Sequence, residues 1–323
     1  MSHGEAAGRH PEPPFVSVIV PTFRRPDRVK ECVAALRQQD YPADRLEVLI
    51  VDDGSPDPVE IDGSVGSDGP GIRLIRQRNA GPARARNHGA AEAEGSVLAF
   101  TDDDCRPDPG WAAALVRALA EEPLALTGGT TVNGLERNLM AEASQVLIDY
   151  LYEYFERARR LLPFFTSNNI AVSAEAFRAM GGFDESFRFS AGEDRDLSER
   201  WAREIGPLRH VPEATVRHFH HLSLGSFLRQ HHYYGRGATH LARRRRVRGA
   251  PPPTVEPMSF YTGMLMYPLR NRSPVRGVVL SGLMLASQAA TVTGVLVESV
   301  RPSSAASGPG AGDRDRAGAP RAP

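Results

Sequence analysis

Four short apolar runs, at residues 15–20, 46–51, 72–76 and 97–100, alternate with helix-like stretches over the first hundred residues. Continuous apolarity, without polar alternation, marks strands buried on both faces. Strand–helix alternation joins such strands in parallel through crossover helices. The chain is therefore expected to be α/β, a mostly parallel sheet flanked by helices. Residues 27–39 carry Val29, Val33 and Leu36 at helical spacing with Asp27 as a candidate N-cap, and 83–93 have helical composition. Two of the runs end in acid: Asp52-Asp53-Gly54-Ser55 after the second, Asp102-Asp103-Asp104 after the fourth. Ligands of doubly wound sheets bind beyond the carboxyl ends of the strands, so both clusters fall where a site is expected.

Three adjacent carboxylates repel one another, and a fold tolerates them where a cation compensates. Hard divalent cations prefer oxygen ligands and combine one or two carboxylates with substrate phosphates, which makes the triplet a candidate metal–phosphate site. An N-cap cluster before a helix at 111–121 explains one of these acids but not three. A third acidic pair, Glu193-Asp194, precedes a helix running through Leu197 and Trp201; by itself it also fits an ordinary helix start. Asp196 is expected to pair with an arginine. Asp53 before Gly54-Ser55 fits either a turn or an acceptor for a ligand N–H.

The remaining composition narrows the class. Over 323 residues the net charge is zero, with 41% hydrophobic and 24% charged residues, so no whole-molecule field points to nucleic acid. Two cysteines, Cys32 and Cys105, exclude a disulfide framework and a cysteine-based zinc site. The expected setting is the reducing cytoplasm, since the polar N-terminal residues do not read as a signal peptide. From Thr215 to Arg301 there are twelve arginines against two acids, Glu256 and Glu298. This segment could seat the chain peripherally on the anionic inner face of the plasma membrane, or it could be a solvated basic surface. A helix is expected over 138–162, its tyrosines and phenylalanines serving as core. Pro251-Pro252-Pro253 reads as a stiff linker, and 278–297 as an apolar helix that packs or lies at an interface. Domain expectations are a disordered N-terminus over 1–13, a catalytic domain over 14–240, a basic and apolar helical extension over 241–300, and a disordered tail over 301–323.

Six strings, in order, resemble family 2 glycosyltransferases of the A-type fold: Val16-Ser17-Val18-Ile19-Val20-Pro21-Thr22-Phe23 with Val51-Asp52-Asp53-Gly54-Ser55; Arg78-Asn79-Ala80-Gly81 with Ala83-Arg84-Ala85-Arg86-Asn87-His88-Gly89; Asp102-Asp103-Asp104; Asn168-Asn169; Gly181-Gly182-Phe183-Asp184-Glu185; and Gly192-Glu193-Asp194-Arg195-Asp196-Leu197. The resemblance covers roughly residues 16–237. It implies a metal-dependent, inverting transfer of sugar from a nucleotide-diphospho-sugar to an acceptor hydroxyl, on a glycan, a lipid-linked or a small glycoside. By resemblance, Pro21, Thr22, Asp53, Arg84, Asn87, Asp102 and Asp103 border the donor. Asp104 with His218 holds Mn²⁺ or Mg²⁺, and Asn168, Asn169 and Glu193 face the acceptor. Asp194 is the implied general base.

Seven of the ten histidines lie between His210 and His240, and His218 and His220 would share one face of an extended segment. By resemblance, Arg229 to Arg236 belongs to a segment that closes over donor phosphates, and the basic run Arg243 to Arg246 lies beside it. Gln230 stands without a following Arg-Trp, which by resemblance argues against processive synthesis. A sugar-nucleotide pyrophosphorylase would need glycines in Pro21-Thr22-Phe23-Arg24-Arg25, and a non-catalytic nucleotide-sugar sensor would not need Asp194. Sugar, nucleotide and acceptor are not readable from the residues.

Overall fold

The computed structural model describes residues 12–61, 69–157, 164–187, 191–252 and 256–301. In chain order the sheet-forming half comprises β1 Val16–Thr22, α1 Pro26–Leu36, β2 Leu46–Asp52, β3 Gly71–Arg76, α2 Pro82–Glu92 and β4 Val97–Phe100. Then follow β5 Cys105–Pro107, α3 Trp111–Glu121, β6 Leu126–Asn133, α4 Leu139–Arg157, β7 Ile170–Ser173 and α5 Ala174–Met180. The chain continues with α6 Glu193–Glu204, β8 Leu208–His218, α7 Leu224–Val247, α8 Met258–Asn271 and α9 Pro274–Ser299. Eight strands form one sheet in the order β3-β2-β1-β4-β7-β6-β8-β5.

The four strands expected from the apolar runs are parallel neighbours. Every residue of β1, β2 and β4 is buried, as continuous apolarity requires, whereas the edge strand β3 is half open. The later strands make the sheet mixed: β7 runs antiparallel to β4 and β6, and β5 antiparallel to β8, while β6 and β8 are parallel. One core joins the sheet to α1 and α3 through Val29, Leu36, Trp111 and Leu115. The other joins the opposite face to α2, α5 and α6 through Ala85, Phe177, Leu197 and Trp201. A third cluster, with Tyr150, Phe227, Phe260, Leu280 and Met284, lies among α4, α7, α8 and α9.

Several local expectations shift. Arg25, not Asp27, is the N-cap residue of α1, and Asp27 lies in its first turn. Pro21 does not stop β1 but pairs within it against Val51. α3 begins after Gly110 without a side-chain cap. The boundary drawn at 240 falls inside α7. Apart from residues 12, 13 and 301, the segments expected to be disordered lie outside the described residues, as do Pro253 and 158–162 of the expected helix at 138–162.

Apart from exposed Arg246, the basic run is also turned inward. Arg243 donates to the backbone oxygen of Glu298, Arg244 pairs with Asp184 at 2.7 Å and Arg245 with Glu199 at 3.1 Å. Arg248 pairs with both Asp184 and Asp196. These arginines fasten α7 to α6, to Asp184 and to α9 and do not form a free cationic face. Asp196 has its expected arginines, Arg200 and Arg248.

Candidate active site

The carboxyl ends of β1, β2 and β4 converge. Asp53 donates its backbone N–H to the Thr22 carbonyl (2.9 Å), and the Thr22 hydroxyl donates to Asp103 Oδ2 (2.8 Å). Arg25 bridges Asp103 Oδ1 (3.0 Å) and Asp104 Oδ2 (3.3 Å), and Arg28 adds a bond to Asp104 Oδ2 at 3.0 Å. Burial raises the Asp103 carboxyl to about 6 against the opposing charge of Arg25. At Asp104 burial acts in the same direction, but His218 and then Arg25 outweigh it and hold the carboxyl well below the usual range. The His218 Nε2 stands 3.1 Å from Asp104 Oδ1, and the pairing raises the imidazole despite its burial. His220 stacks on His218 with ring centroids 4.8 Å apart, and burial followed by the neighbouring His218 lowers it to about 4.

Ligand atoms of Asp104, His218 and Cys105 lie within 4.8 Å of one another. The carboxylate and imidazole suit Mn²⁺ or Mg²⁺, hard cations that take oxygen and tolerate nitrogen. Cys105 suits them less: burial raises its thiol well above the ordinary value, and the Asn168 amide donates to its sulfur at 3.6 Å. The donor set that fits is Asp104 and His218, backed by the compressed charge of Asp102 and Asp103.

Asp102 connects the triplet to the third acidic pair. Arg86, itself buried, donates to Asp102 Oδ1 (2.7 Å) with one terminal nitrogen and to Glu193 Oε1 (3.2 Å) with the other. Its guanidinium lies 5.5 Å from the centroid of the Phe183 ring. Glu193 Oε2 and Arg86 Nε are buried and have no hydrogen-bond partner among the described residues. Burial and then the charge of Asp194 raise the Glu193 carboxyl to about 7, against the opposing Arg86. Burial also raises half-buried Asp194, whose Oδ1 accepts the Arg195 N–H at 2.8 Å. Two carboxyls that give up protons reluctantly thus sit at the start of α6, where the helix dipole favours negative charge. The arrangement can accept a proton near neutrality next to the acid triplet.

Other expected residues hold the frame. The Asp53 carboxylate accepts from Gln77 (2.8 Å), Asn79 (3.2 Å) and the backbone N–H groups of Ala80 and Gly81 (2.8 Å each). Four donors fill its acceptor capacity, so it folds the 77–81 loop over β2. Gly81 permits this at φ +97°, a region side chains avoid. Arg84 is exposed, its nearest acid being Glu185 at 3.9 Å. Asn87 clamps the backbone N–H and carbonyl of Phe183 at 2.9 Å each. Asn168 accepts from Thr166 (2.8 Å). Asn169 accepts from Trp111 Nε1 (2.8 Å) and donates to the carbonyls of Thr130 and Ala214 (3.1 and 3.0 Å), so its polar atoms are used in the core.

Sequence reading missed Arg25 and Arg28 as site residues. Arg25 and Arg28 had a legible signal: cations at a helix N-terminus oppose the dipole and need an acidic partner to hold them.

Fold and site together define an α/β protein with a parallel half, an acidic cluster at its strand ends and a carboxylate pair joined to that cluster through Arg86. The family model described as "Glycosyl transferase family 2" matches residues 17–181, and the chain belongs to that family. It is 32% identical over 258 residues to the pre-mycofactocin glycosyltransferase of Mycobacterium tuberculosis, covering 76% of this chain and 53% of that one. To the validoxylamine A glucosyltransferase of Streptomyces hygroscopicus subsp. jinggangensis it is 27% identical over 215 residues, covering 58% and 51%. The chain spans about half the length of these curated relatives. Its fold is shared with the mannosyltransferase PcManGT from Pyrobaculum calidifontis, solved with GDP-Man and Mn²⁺, at a TM-score of 0.52, 18% identity and coverage of 88% and 79%. It is shared also with S. aureus TarS at 0.51, 15% identity and coverage of 88% and 55%. The A-type fold and the family expected from the sequence are thereby established.

Proposed function

We propose that the chain transfers a sugar, with inversion, from a nucleotide-diphospho-sugar to an acceptor hydroxyl, and that it uses Mn²⁺ or Mg²⁺. The observation that carries this reading is the Asp102–Arg86–Glu193 bridge, which couples the acid triplet to the Glu193-Asp194 pair. Asp104 and His218 would hold the metal, which when bound would neutralise charge on the leaving diphosphate. Arg25 and Arg28 lie against the same acids and are placed to meet phosphate oxygens. Thr22 orients Asp103 and Arg86 orients Asp102, so the donor side is positioned by buried groups. Asp194, the more open of the acidic pair, would take the proton of the acceptor hydroxyl as that oxygen attacks the anomeric carbon from the face opposite the diphosphate. Glu193 would lie beside it, its ionisation linked to Asp194. Asp53 would act here through the 77–81 loop that it fixes, and Pro21 and the strand ends would meet the nucleotide.

The acceptor, a glycan, a lipid-linked or a small glycoside, would lie on the side of Glu193 and Asn168. Both cysteines are free and buried, in keeping with a cytoplasmic setting. Nucleotide-sugar hydrolysis and transfer should be measured across UDP-, GDP- and dTDP-sugars with and without Mn²⁺. Turnover of one donor only with metal present supports the reading. It is overturned if no donor is consumed and none of the three nucleoside diphosphates binds.

A further inference from the structure

α9 is built inside out. The face it turns to the protein carries Gly277, Leu280, Met284, Ser287 and Gly294, while the face it turns outward carries Val275, Val278, Val279, Leu285, Val292, Val295, Leu296 and Val297. Of the eighteen large hydrophobic side chains exposed among the described residues, twelve lie on α8, α9 or Val300 just beyond. Exposed apolar residues scattered singly need no explanation, but a contiguous set of this size marks an interaction surface. No exposed position of α9 is charged.

We propose that this face rests on the surface of a lipid bilayer, with α9 lying in the interface. Three observations favour lipid over protein as the occupant. The outward side chains are aliphatic with no aromatic residue, whereas the centres of protein interfaces are enriched in Tyr, Trp, Phe and Arg. The hydroxyls of Ser281, Ser287, Thr291 and Thr293 each donate to a backbone carbonyl, of Leu265, Met284, Ser287 and Ala290, so these groups bring no unmet donor to the apolar surface. That is the state a hydrocarbon boundary demands. Finally, exposed Arg270 at the end of α8 and Arg246 at the end of α7 have no acidic partner among the described residues, unlike their neighbours Arg244, Arg272 and Arg276. They supply charge complementary to anionic headgroups.

The helix is long and apolar enough to cross a membrane, but its inner face is committed to α7. A Cβ on Gly235 would stand 1.9 Å from the Thr291 carbonyl oxygen, and one on Gly294 1.9 Å from that of His232. Near its end, Glu298 holds Arg236 at 2.9 Å. Spanning would carry α7 and its arginines into hydrocarbon, a cost that a surface position avoids. The reading is independent of the donor and of the catalytic roles above.

Flotation of the full chain with phosphatidylcholine vesicles, alone or with phosphatidylglycerol, tests it. The protein should float with both and more completely with the anionic ones. The exposed-face variant V278D/L285D/V292D should lose at least about tenfold in partition, because three aliphatic side chains no longer transfer from water. R246Q/R270Q should lose only the preference for anionic vesicles. Unchanged thermal unfolding of the variants shows that each has folded. The proposal is overturned if the wild type floats with neither vesicle, or if the triple variant floats as well as the wild type. It is overturned equally if the wild type is a dimer that the triple variant splits while neither binds vesicles.

Discussion

Asp194 and Glu193 are neighbours with different surroundings, and this difference sets their chemistry. Glu193 is buried with one oxygen unpartnered, while Asp194 is half open. Replacing Asp194 by Asn keeps shape and removes the base. Transfer should fall by about 10² to 10⁴-fold while donor binding, followed by calorimetry, stays within a factor of about three. The pH profile follows from the raised Glu193 carboxyl. The Glu193 carboxyl, raised to about 7 by burial and by Asp194, holds its proton on the acid side of neutrality, so kcat should rise with pH through neutrality. Arg86→Gln removes the cation opposing that shift, and its acid limb should move to higher pH. A flat profile from pH 5 to 8 would place the base elsewhere. The sequence displayed these carboxylates but not which was buried. Arg86 and Arg84 look alike in a string of alternating alanines and arginines, and only the phase of α2 against the sheet turns one inward and leaves the other in water.

At the scale of elements, the parallel half was legible because a strand buried on both faces must be apolar throughout. The antiparallel β7 and the strand β6, with its Thr127-Gly128-Gly129-Thr130-Thr131, carry no such pattern. Gly128 and Gly129 are there because Phe165 and the Ala214 carbonyl lie against them, a tertiary reason invisible in the string. The α7–α9 crossing is similar: Gly235 and Gly294 let two backbones touch. Gly294→Ala should destabilise by about 1–3 kcal/mol, seen as a lowered Tm, since neither helix can yield a full carbon's width without opening the cluster around Phe227 and Met284. An unchanged Tm would mean that α9 is not held at that crossing.

For the whole molecule, the acid triplet is a store of repulsion held by Arg25, Arg28 and His218. A cation that binds the folded chain alone stabilises it by mass action, about 2.7 kcal/mol at one hundred times its Kd. Saturating Mn²⁺ should therefore raise the Tm, and Asp104→Ala should abolish that shift while leaving a folded protein. Persistence of the shift in the variant would locate the metal away from Asp104. The arginine-rich segment from Thr215 to Arg301, expected either at an anionic membrane face or as a solvated surface, shows that a charge count does not say which arginines are free. Arg243 to Arg245 and Arg248 find acids or carbonyls of the chain itself. The surface they leave is distinguished by aliphatic side chains, whose exposure depends on which face of α9 meets α7.

By itself the sequence determined the A-type α/β fold, the family, and the three acidic clusters at strand and helix ends, because apolar runs and short carboxylate strings are local properties of the chain. Tertiary structure alone decided that Arg86 joins Asp102 to Glu193, that Asp53 and Asn169 are occupied by the protein's own donors and acceptors, and that α9 shows its apolar side to the outside. Each of these depends on the rotation of a helix or the closure of a loop between residues far apart in sequence. Burial, which raises the Asp103 and Glu193 carboxyls, exists only once those distances are set.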